Sequence, residues 1–274
     1  MIILNMGIPR SGTVWAFNVF REFWTREQLD FRTASPNRPQ EVDEAVQGLR
    51  PTEEHVILHF HDVTPAVVQL AGQPDVRSFF NFRDPRDVVV SQMNLHDIGF
   101  EDAVQMTVTG FQSLKTVARF PGLMLIPYVD ITEHAEPLIF QMGTRLGLLP
   151  KRSTVQEIAR ETSAERHRSL MPTAPPDAPA LPETAASSSL DVSSSQEKTS
   201  LTEDGIAPHL ATEPAVETVR SGWRDIRMDR THLLTDRHIQ SGRSGRWRTE
   251  LSQPQQQAVC ERFAPVIDLF GMPD

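Results

Sequence analysis

Short apolar runs alternate with longer segments of helical period through the first 170 residues of the chain. The runs predict four strands, at Ile2–Asn5, His55–Phe60, Ser78–Phe82 and Leu123–Val129. Val56, Ile57 and Leu58 are consecutive apolar residues, which is typical of a strand covered on both faces. Strands that alternate with helices indicate parallel β-α-β units, so we expect a three-layer α/β/α domain with a central, mainly parallel sheet.

The segments of helical period follow these strands. They predict helices over Gly12–Arg26, Thr64–Ala71, Pro85–His96, Glu101–Arg119, Thr132–Leu146 and Thr154–His167. A last helix is predicted over Gln253–Phe270, because its apolar residues share one face. Those residues are Val259, Phe263, Val266, Ile267 and Phe270.

A segment of different composition, Pro172 to Pro214, interrupts the pattern. It is rich in proline and serine, and its seven acids and one base account for −6 of the chain's net charge of −9. This composition is typical of a disordered insertion. We therefore expect a single domain formed by residues 1–171 and 215–274, with residues 172–214 as an insertion.

Charge and composition exclude several classes of protein. The 274 residues carry 27 Lys and Arg against 36 Asp and Glu, and this acidic balance argues against a nucleic-acid partner. The single cysteine, Cys260, forms no intramolecular disulfide and fits a reducing compartment. No apolar run approaches the roughly 18 residues of a membrane span, and the first residues lack the basic start of a signal peptide. We expect a cytoplasmic protein.

The first predicted strand leads directly into a turn and a helix start, Pro9-Arg10-Ser11-Gly12-Thr13-Val14-Trp15. Such a corner places backbone N–H groups and the positive end of a helix at the carboxyl edge of the sheet, where α/β proteins bind phosphates. Arg10 adds a cation, Ser11 and Thr13 add hydroxyls, and no lysine follows Gly12 as it does in the nucleotide-binding P-loop. The alternative is an ordinary strand-to-helix connection.

This turn resembles the 5′-phosphosulfate loop of the sulfotransferases that use 3′-phosphoadenosine 5′-phosphosulfate (PAPS), whose pattern is Pro-Lys/Arg-Ser-Gly-Thr-x-Trp. The stretch from Phe82 to Ser91 is similar to the family's 3′-phosphate segment, with Arg83 and Ser91 at its phosphate-binding positions. Residues 242–248, Gly-Arg-Ser-Gly-Arg-Trp-Arg, are similar to the C-terminal Gly-x-x-Gly-x-Trp-Lys/Arg motif that closes over the nucleotide. The three motifs keep the family's order over residues 1–167 and 230–274.

The resemblance implies a P-loop NTPase-like sulfotransferase fold that uses PAPS without a metal. The product would be a sulfated hydroxyl or amine of a small-molecule or carbohydrate acceptor. Weaker similarities add Tyr128, after the fourth strand, and the pair Thr162 and Ser163, which would edge the adenine on which Trp15 stacks. The implied cofactor residues are Pro9, Arg10, Ser11, Gly12, Thr13, Val14, Trp15, Arg83, Ser91, Tyr128, Thr162, Ser163, Gly242, Arg243, Ser244 and Gly245.

Each of these residues also has a structural interpretation. Arg83 could pair with Asp84 or Asp87, and Ser91 could lie on a helix surface. Trp15 could anchor the core in the first helix, and Tyr128, Thr162 and Ser163 need no ligand at the end of a strand or helix. The structural and the sulfotransferase interpretations therefore predict different neighbours for each of these side chains.

Two histidines at the end of the second predicted strand are the candidate catalytic groups. Because side chains alternate along a strand, His59 and His61 share one face near the carboxyl edge of the sheet. An imidazole with an unperturbed pKa of about 6.5 can accept a proton near neutral pH. By resemblance, His61 is the general base and Arg10 stabilises the leaving oxygen. His59 occupies the position where the family usually has a lysine, so more of the charge stabilisation would fall on Arg10.

The same histidines allow a metal-site interpretation, since two His at i and i+2 can chelate zinc. His59-x-His61-Asp62 lacks the further histidine of the longer His-x-His-x-Asp-His pattern. A structural interpretation, with both side chains bonded to neighbouring loops, is the other alternative.

Two other functions compete with sulfuryl transfer. A nucleotide kinase would need a lysine at the start of the helix and a magnesium site, and the sequence shows neither. A catalytically silent nucleotide-binding protein is favoured by His59 and by Gln240 and Ser241, which replace the family's frequent Arg-Lys. The acceptor has no chemical signature, although Phe31–Arg50, Asn94–Asp102, the acidic insertion and a lid near residues 217–219 could line its pocket.

Overall fold

The computed structural model describes residues 1–49, 55–170, 216–221, 224–229, 231–235 and 243–272. The strands are β1 (Ile2–Gly7), β2 (Phe31–Ala34), β3 (His55–Phe60), β4 (Val76–Phe82), β5 (Met124–Pro127), β6 (Val216–Ser221), β7 (Arg224–Asp229) and β8 (Leu234–Thr235). The helices are α1 (Thr13–Arg26), α2 (Pro39–Gln47), α3 (Pro65–Ala71), α4 (Pro85–His96), α5 (Phe100–Val117), α6 (Tyr128–Glu133), α7 (Ala135–Arg145), α8 (Arg152–Glu161), α9 (Ala164–Leu170), α10 (Trp247–Glu250) and α11 (Gln253–Phe270).

The central sheet has the strand order β2-β3-β1-β4-β5, and all of its strand pairs are parallel. The carboxyl ends of β1, β3 and β4 therefore meet at one edge of the sheet. A second, antiparallel sheet contains β6, β7 and β8. The expectation of an α/β domain built on a mainly parallel sheet is confirmed.

Each face of the central sheet is covered by a separate hydrophobic core. Ile3, Ile57 and Phe79 point to one face, where they pack with the aromatic side chains of α1 and with α7 and α8. The next residues along the same strands point to the other face, where they pack with α4, α5 and α11. This two-sided burial explains why the strands are apolar without alternation.

Two elements near the amino terminus were not predicted. β2 has only four residues, and its middle residues Arg32 and Thr33 are exposed, so no apolar run marks it. In α2 only Val42 is buried. Both elements lie within Phe31–Arg50, the segment that carries no chemical signature, and Arg50 itself lies outside the described residues.

Three predicted boundaries were wrong. The fourth predicted strand ends at Pro127, because the chain turns there and α6 begins at Tyr128. The helix predicted from Thr132 is divided at His134, whose backbone is not helical (φ −134°, ψ 37°). The helix predicted over Thr154–His167 begins earlier, at Arg152, and is broken at Thr162 and Ser163 into α8 and α9. Apolar residues recur at helical spacing on both sides of His134, so the sequence does not reveal that break.

The last helix was predicted correctly. Ser252 caps α11 through a reciprocal capping box with Gln255, and Val259, Phe263 and Ile267 form its buried stripe. The sequence pattern of a capped amphipathic helix is sufficient here.

Some sequence predictions concern residues outside the described part of the chain. They include the acidic segment 172–214, Gln240, Ser241 and Gly242. For the residues that are described, no helix combines the length and the apolar character needed to cross a bilayer.

The core on the α1 face gives a stability prediction. Phe20 is fully buried with its ring 4.6 Å from that of Phe79, so Phe20→Ala should lower the free energy of unfolding by about 3–5 kcal/mol. Phe140→Ala is a matched control in α7, where the ring is 48% exposed, and should change it by only about 0.5 kcal/mol. Urea unfolding followed by circular dichroism measures both values. Equal losses in the two variants would contradict this packing.

Candidate active site

The opening turn leaves the end of β1 and enters α1 through two residues with left-handed backbone. Arg10 has a φ of 72° and Gly12 a φ of 93°, and Gly12 is the N-cap of α1. A Cβ on Gly7 would lie 2.6 Å from the carbonyl oxygen of Asn81, so glycine is required where β1 meets β4. The turn is therefore packed tightly against the end of β4.

Ser11 holds this turn in place. Its fully buried hydroxyl lies 2.6 Å from the carbonyl oxygen of Ile8 and 2.9 Å from that of Asn81, to which it donates. The buried amide of Asn5 donates to the carbonyl of Thr13 at 2.9 Å. The Ser11 hydroxyl thus bonds to the protein backbone.

Arg10 connects the turn to α4. Its Nε donates to Ser91 Oγ at 2.9 Å, although 81 residues separate the two along the chain. α4 starts with Asp84 as its N-cap and Pro85 at its first position, which places Ser91 two turns into the helix and buries it. The first two predicted motifs therefore meet in space.

Arg83 connects the second motif to the C-terminal one. Its Nη2 donates to the carbonyl oxygen of Arg243 at 2.8 Å and lies 3.5 Å from the carboxylate of Asp87. Its guanidinium lies over the ring of Tyr128, 4.1 Å from the centroid. Of the two carboxylate partners expected for Arg83, the structure shows Asp87, because Asp84 binds Arg86 instead.

Three arginines, Arg10, Arg83 and Arg246, lie close enough here to interact electrostatically. The pKa of Arg10 is lowered to about 10, first by burial and then by the neighbouring guanidinium groups of Arg83 and Arg246, while Tyr128 acts in the opposite direction. Several cations held together in a partly buried place favour an anion as ligand.

His61 is oriented by the end of β1. Its Nδ1 lies 2.7 Å from the carbonyl oxygen of Gly7. A carbonyl only accepts, so Nδ1 carries the proton and Nε2 presents a lone pair, the arrangement a general base needs. Burial and the nearby Arg10 lower the pKa of His61, and they outweigh the Gly7 hydrogen bond and Asp62, which raise it.

His59 is buried beside His61, 5.4 Å away between ring centroids. Its Nδ1 lies 2.9 Å from Ser35 Oγ in the loop after β2, and its ring meets Phe17 edge-on. Burial, and then His61, lower the pKa of His59 to about 3. A histidine in this state supplies no positive charge at neutral pH, so it does not reproduce the electrostatics of a lysine.

The predicted adenine-edging residues have local partners. Thr162 Oγ1 donates to the carbonyl of Ile158 at 2.8 Å, and Ser163 Oγ accepts from the backbone N–H of Arg166 at 3.1 Å. Trp15 lies in the core of the α1 face. Their cofactor roles remain predictions.

The remaining predicted residues have varied surroundings. Val14 and Thr13 are buried at the start of α1, Pro9 lies beside Gly110 of α5, and Ser244 is exposed next to Gly245, which has a φ of 80°. The described residues contain no group of three His, Cys, Asp or Glu side chains placed to hold a metal.

Sequence reasoning did not single out Ser35 or Asp87 as functional residues. Ser35 bonds to His59, and Asp87 contacts the C-terminal segment. The sequence does show that Asp87 is an acid in the first turn of a helix. This pattern is common, and it predicts only a favourable interaction with the helix dipole.

Solved structures share this architecture. The chain is similar to mouse sulfotransferase SULT7A1 complexed with PAP, with 15% identity and a TM-score of 0.58 over 97% of this chain and 84% of that one. It is similar to retinol dehydratase in complex with androsterone and inactive cofactor PAP, with 13% identity and a TM-score of 0.57 over 97% of this chain and 80% of that one.

A structure of retinol dehydratase in a complex with retinol and PAP matches with 12% identity and a TM-score of 0.55, over 97% of this chain and 81% of that one. No protein-family model and no curated protein matches the chain. The structural similarities show that this chain has the α/β fold of the sulfotransferases.

The two histidines should titrate differently. His59 should stay neutral until the pH falls to about 3, and His61 should gain its proton only below its ordinary pKa of 6.5, because burial disfavours both charged forms. Two-bond ¹H–¹⁵N correlation spectra across a pH series measure each protonation state and identify the protonated nitrogen of His61. A His61 that carries its proton on Nε2 at neutral pH would contradict the geometry described here.

Proposed function

We propose that the chain is a PAPS-dependent sulfotransferase, with residues 1–171 and 215–274 forming its single catalytic domain. The observation that carries this proposal is the meeting of all three motifs at one cluster of cations. Arg10 bonds to Ser91, and Arg83 bonds to the carbonyl of Arg243. The opening turn, α4 and the C-terminal segment therefore meet at the same edge of the sheet.

The chemistry of this cluster fits a nucleotide that carries a 3′-phosphate and a 5′-phosphosulfate. Arg83 has a buried Nε that lacks a hydrogen-bond partner in the described part of the chain, and such a donor is costly unless a ligand accepts from it. The pKa of Arg10 is lowered first by burial and then by the neighbouring charge of Arg83, and a bound polyanion would offset both effects. We assign Arg83 and Ser91 to the 3′-phosphate and the opening turn with Arg10 to the 5′ end.

PAPS supplies an activated sulfuryl group, and the protein supplies orientation, a base and positive charge. His61 Nε2 takes the proton from the acceptor's hydroxyl or amine, which then attacks sulfur while the S–O bond to the phosphate breaks. Arg10 stabilises the charge that develops on the leaving oxygen. The lowered pKa of His59 keeps it neutral, so the positive charge for this step comes from arginine.

The acceptor that we propose is a small molecule. Two of the similar structures hold retinol or androsterone together with PAP, which supports a compact organic acceptor rather than a carbohydrate chain. The proposal applies to the class of acceptor only.

A second candidate function is nucleotide binding without catalysis. The feature in its favour is the burial of His59, which lowers its pKa to about 3 at the position where the resemblance would have a fixed positive charge. This candidate keeps the anion site and removes the chemical step, so a transfer assay separates it from the first proposal.

Arg83→Ala should weaken the binding of PAP, the product that remains after sulfuryl transfer, by roughly tenfold to a hundredfold, because a charge-assisted hydrogen bond contributes about 1.5–3 kcal/mol. Isothermal titration calorimetry measures this loss. Arg77→Ala is a matched control, since Arg77 lies at the opposite end of β4 and bonds to the carbonyls of Pro74 and Val76. Unchanged affinity in Arg83→Ala would remove Arg83 from the site.

Transfer of labelled sulfate from PAPS to a panel of small hydroxyl and amine acceptors, with EDTA present, tests the proposed reaction. His61→Ala should lower the rate by about 10²–10⁴-fold and leave PAP affinity close to that of the wild type, because it removes only the base. His55→Ala, at the start of the same strand, should retain activity. Wild-type protein that binds PAP without transferring sulfate supports the silent nucleotide-binding alternative.

A further inference from the structure

A buried carboxylate, that of Asp87, lies beside Arg83. Asp87, at the third position of α4, is 1% exposed and its Oδ2 lies 3.5 Å from Arg83 Nη2. A negative charge at this position would, by Coulomb interaction alone, weaken the binding of any anion to Arg83. Its presence in a site built from cations therefore needs a separate explanation.

The carboxylate accepts two backbone hydrogen bonds from the C-terminal segment, residues 243–250. Gly245 N–H donates to Oδ2 at 2.7 Å, and Trp247 N–H donates to Oδ1 at 3.3 Å. Both oxygens of one side chain thus hold two amides that lie about 160 residues later in the chain. Gly245 reaches this position with a φ of 80°, a backbone conformation that glycine adopts without strain.

Other contacts on α4 support the same segment. The ring of Trp247 lies between two guanidinium groups, with Arg86 4.1 Å and Arg248 4.4 Å from its centroid. The carboxylate of Asp84 accepts hydrogen bonds of 2.8–3.1 Å from the Arg86 guanidinium. The Trp247 contacts anchor the segment beside the carboxylate.

A second polar attachment lies two turns further along α4. Asn94 Nδ2 donates to Glu250 Oε2 at 2.9 Å, and Glu250 in turn pairs with Arg246. Residues 87, 91 and 94 are spaced so that they share one face of the helix. Ser91, which accepts from Arg10, therefore lies between the two points where the C-terminal segment is attached.

We propose that Asp87 is a positioning residue that fixes residues 243–250 onto α4 and so places Arg246 and the Arg243 carbonyl against the Arg10–Arg83 cluster. The attachment strengthens anion binding by more than the negative charge of Asp87 weakens it. The identity of the anion rests on the proposed function, whereas the attachment itself does not.

Whether Asp87→Asn binds PAP more weakly or more tightly than the wild type tests this inference. Asp87→Asn keeps the size of the side chain, removes its charge and leaves one oxygen to accept where two accept now. Loss of attachment predicts roughly tenfold weaker PAP binding, whereas removal of an unfavourable charge alone predicts tighter binding. Asp102→Asn is the matched control, because Asp102 occupies the same helical position in α5 and is exposed. It should leave PAP affinity unchanged.

Amide hydrogen exchange of the ligand-free protein, followed by mass spectrometry, tests the attachment without PAP. Peptides covering residues 243–251 should exchange at least about tenfold faster in Asp87→Asn than in the wild type, and at the wild-type rate in Asp102→Asn. In turnover assays the same variant should raise KM for PAPS and leave kcat within about threefold, because the base and the acceptor are untouched.

Each outcome has a definite meaning. Tighter PAP binding by Asp87→Asn, or unchanged exchange in residues 243–251, overturns the inference. A wild-type protein that fails to bind PAP overturns the proposed function, and the exchange measurement still decides whether Asp87 holds the segment. If Asp87→Asn does not fold, Asp87→Glu replaces it, since a carboxylate that is one methylene longer should show exchange and PAP affinity between those of the wild type and a detached segment.

Discussion

The burial of closely placed guanidinium groups is the constraint on which this site depends. Burial is the largest cause that lowers the pKa of Arg10 to about 10, and the neighbouring charges of Arg83 and Arg246 lower it further. The protein holds them in place with neutral and acidic partners that are themselves fixed by secondary structure, namely the hydroxyl of Ser91, the ring of Tyr128 and the carboxylate of Asp87.

The parallel sheet makes this arrangement possible, since it brings the carboxyl ends of β1, β3 and β4 to one edge. β1 supplies the turn that carries Arg10, β3 leads to His61, and β4 leads to Arg83 and the start of α4. Residues of the C-terminal segment complete the cluster from a distant part of the sequence. The order of the strands therefore determines which motifs meet, and the motifs determine what kind of ligand the edge can hold.

Sequence patterns predicted the strands and helices that are marked by apolar runs. They missed a strand with exposed residues, and they placed some element boundaries incorrectly. β1, β3 and β4 were predicted because two-sided burial makes them continuously apolar, whereas the exposed Arg32 and Thr33 hid β2. In the site, the sequence placed Arg10 after the end of β1 and Arg83 after the end of β4, and their binding roles remain proposals. The contacts of Ser35 with His59 and of Asp87 with Gly245 could not be inferred, because each joins segments distant in sequence and no local pattern links them.

The peptide group of Gly7 links two properties of the site. Its carbonyl accepts from His61 Nδ1, and the same residue ends the strand from which the turn that carries Arg10 departs. A shift of this one backbone unit would move the His61 ring and the Arg10 turn together. Any remodelling of that turn is for this reason restricted to backbone shapes that preserve the direction of one carbonyl bond.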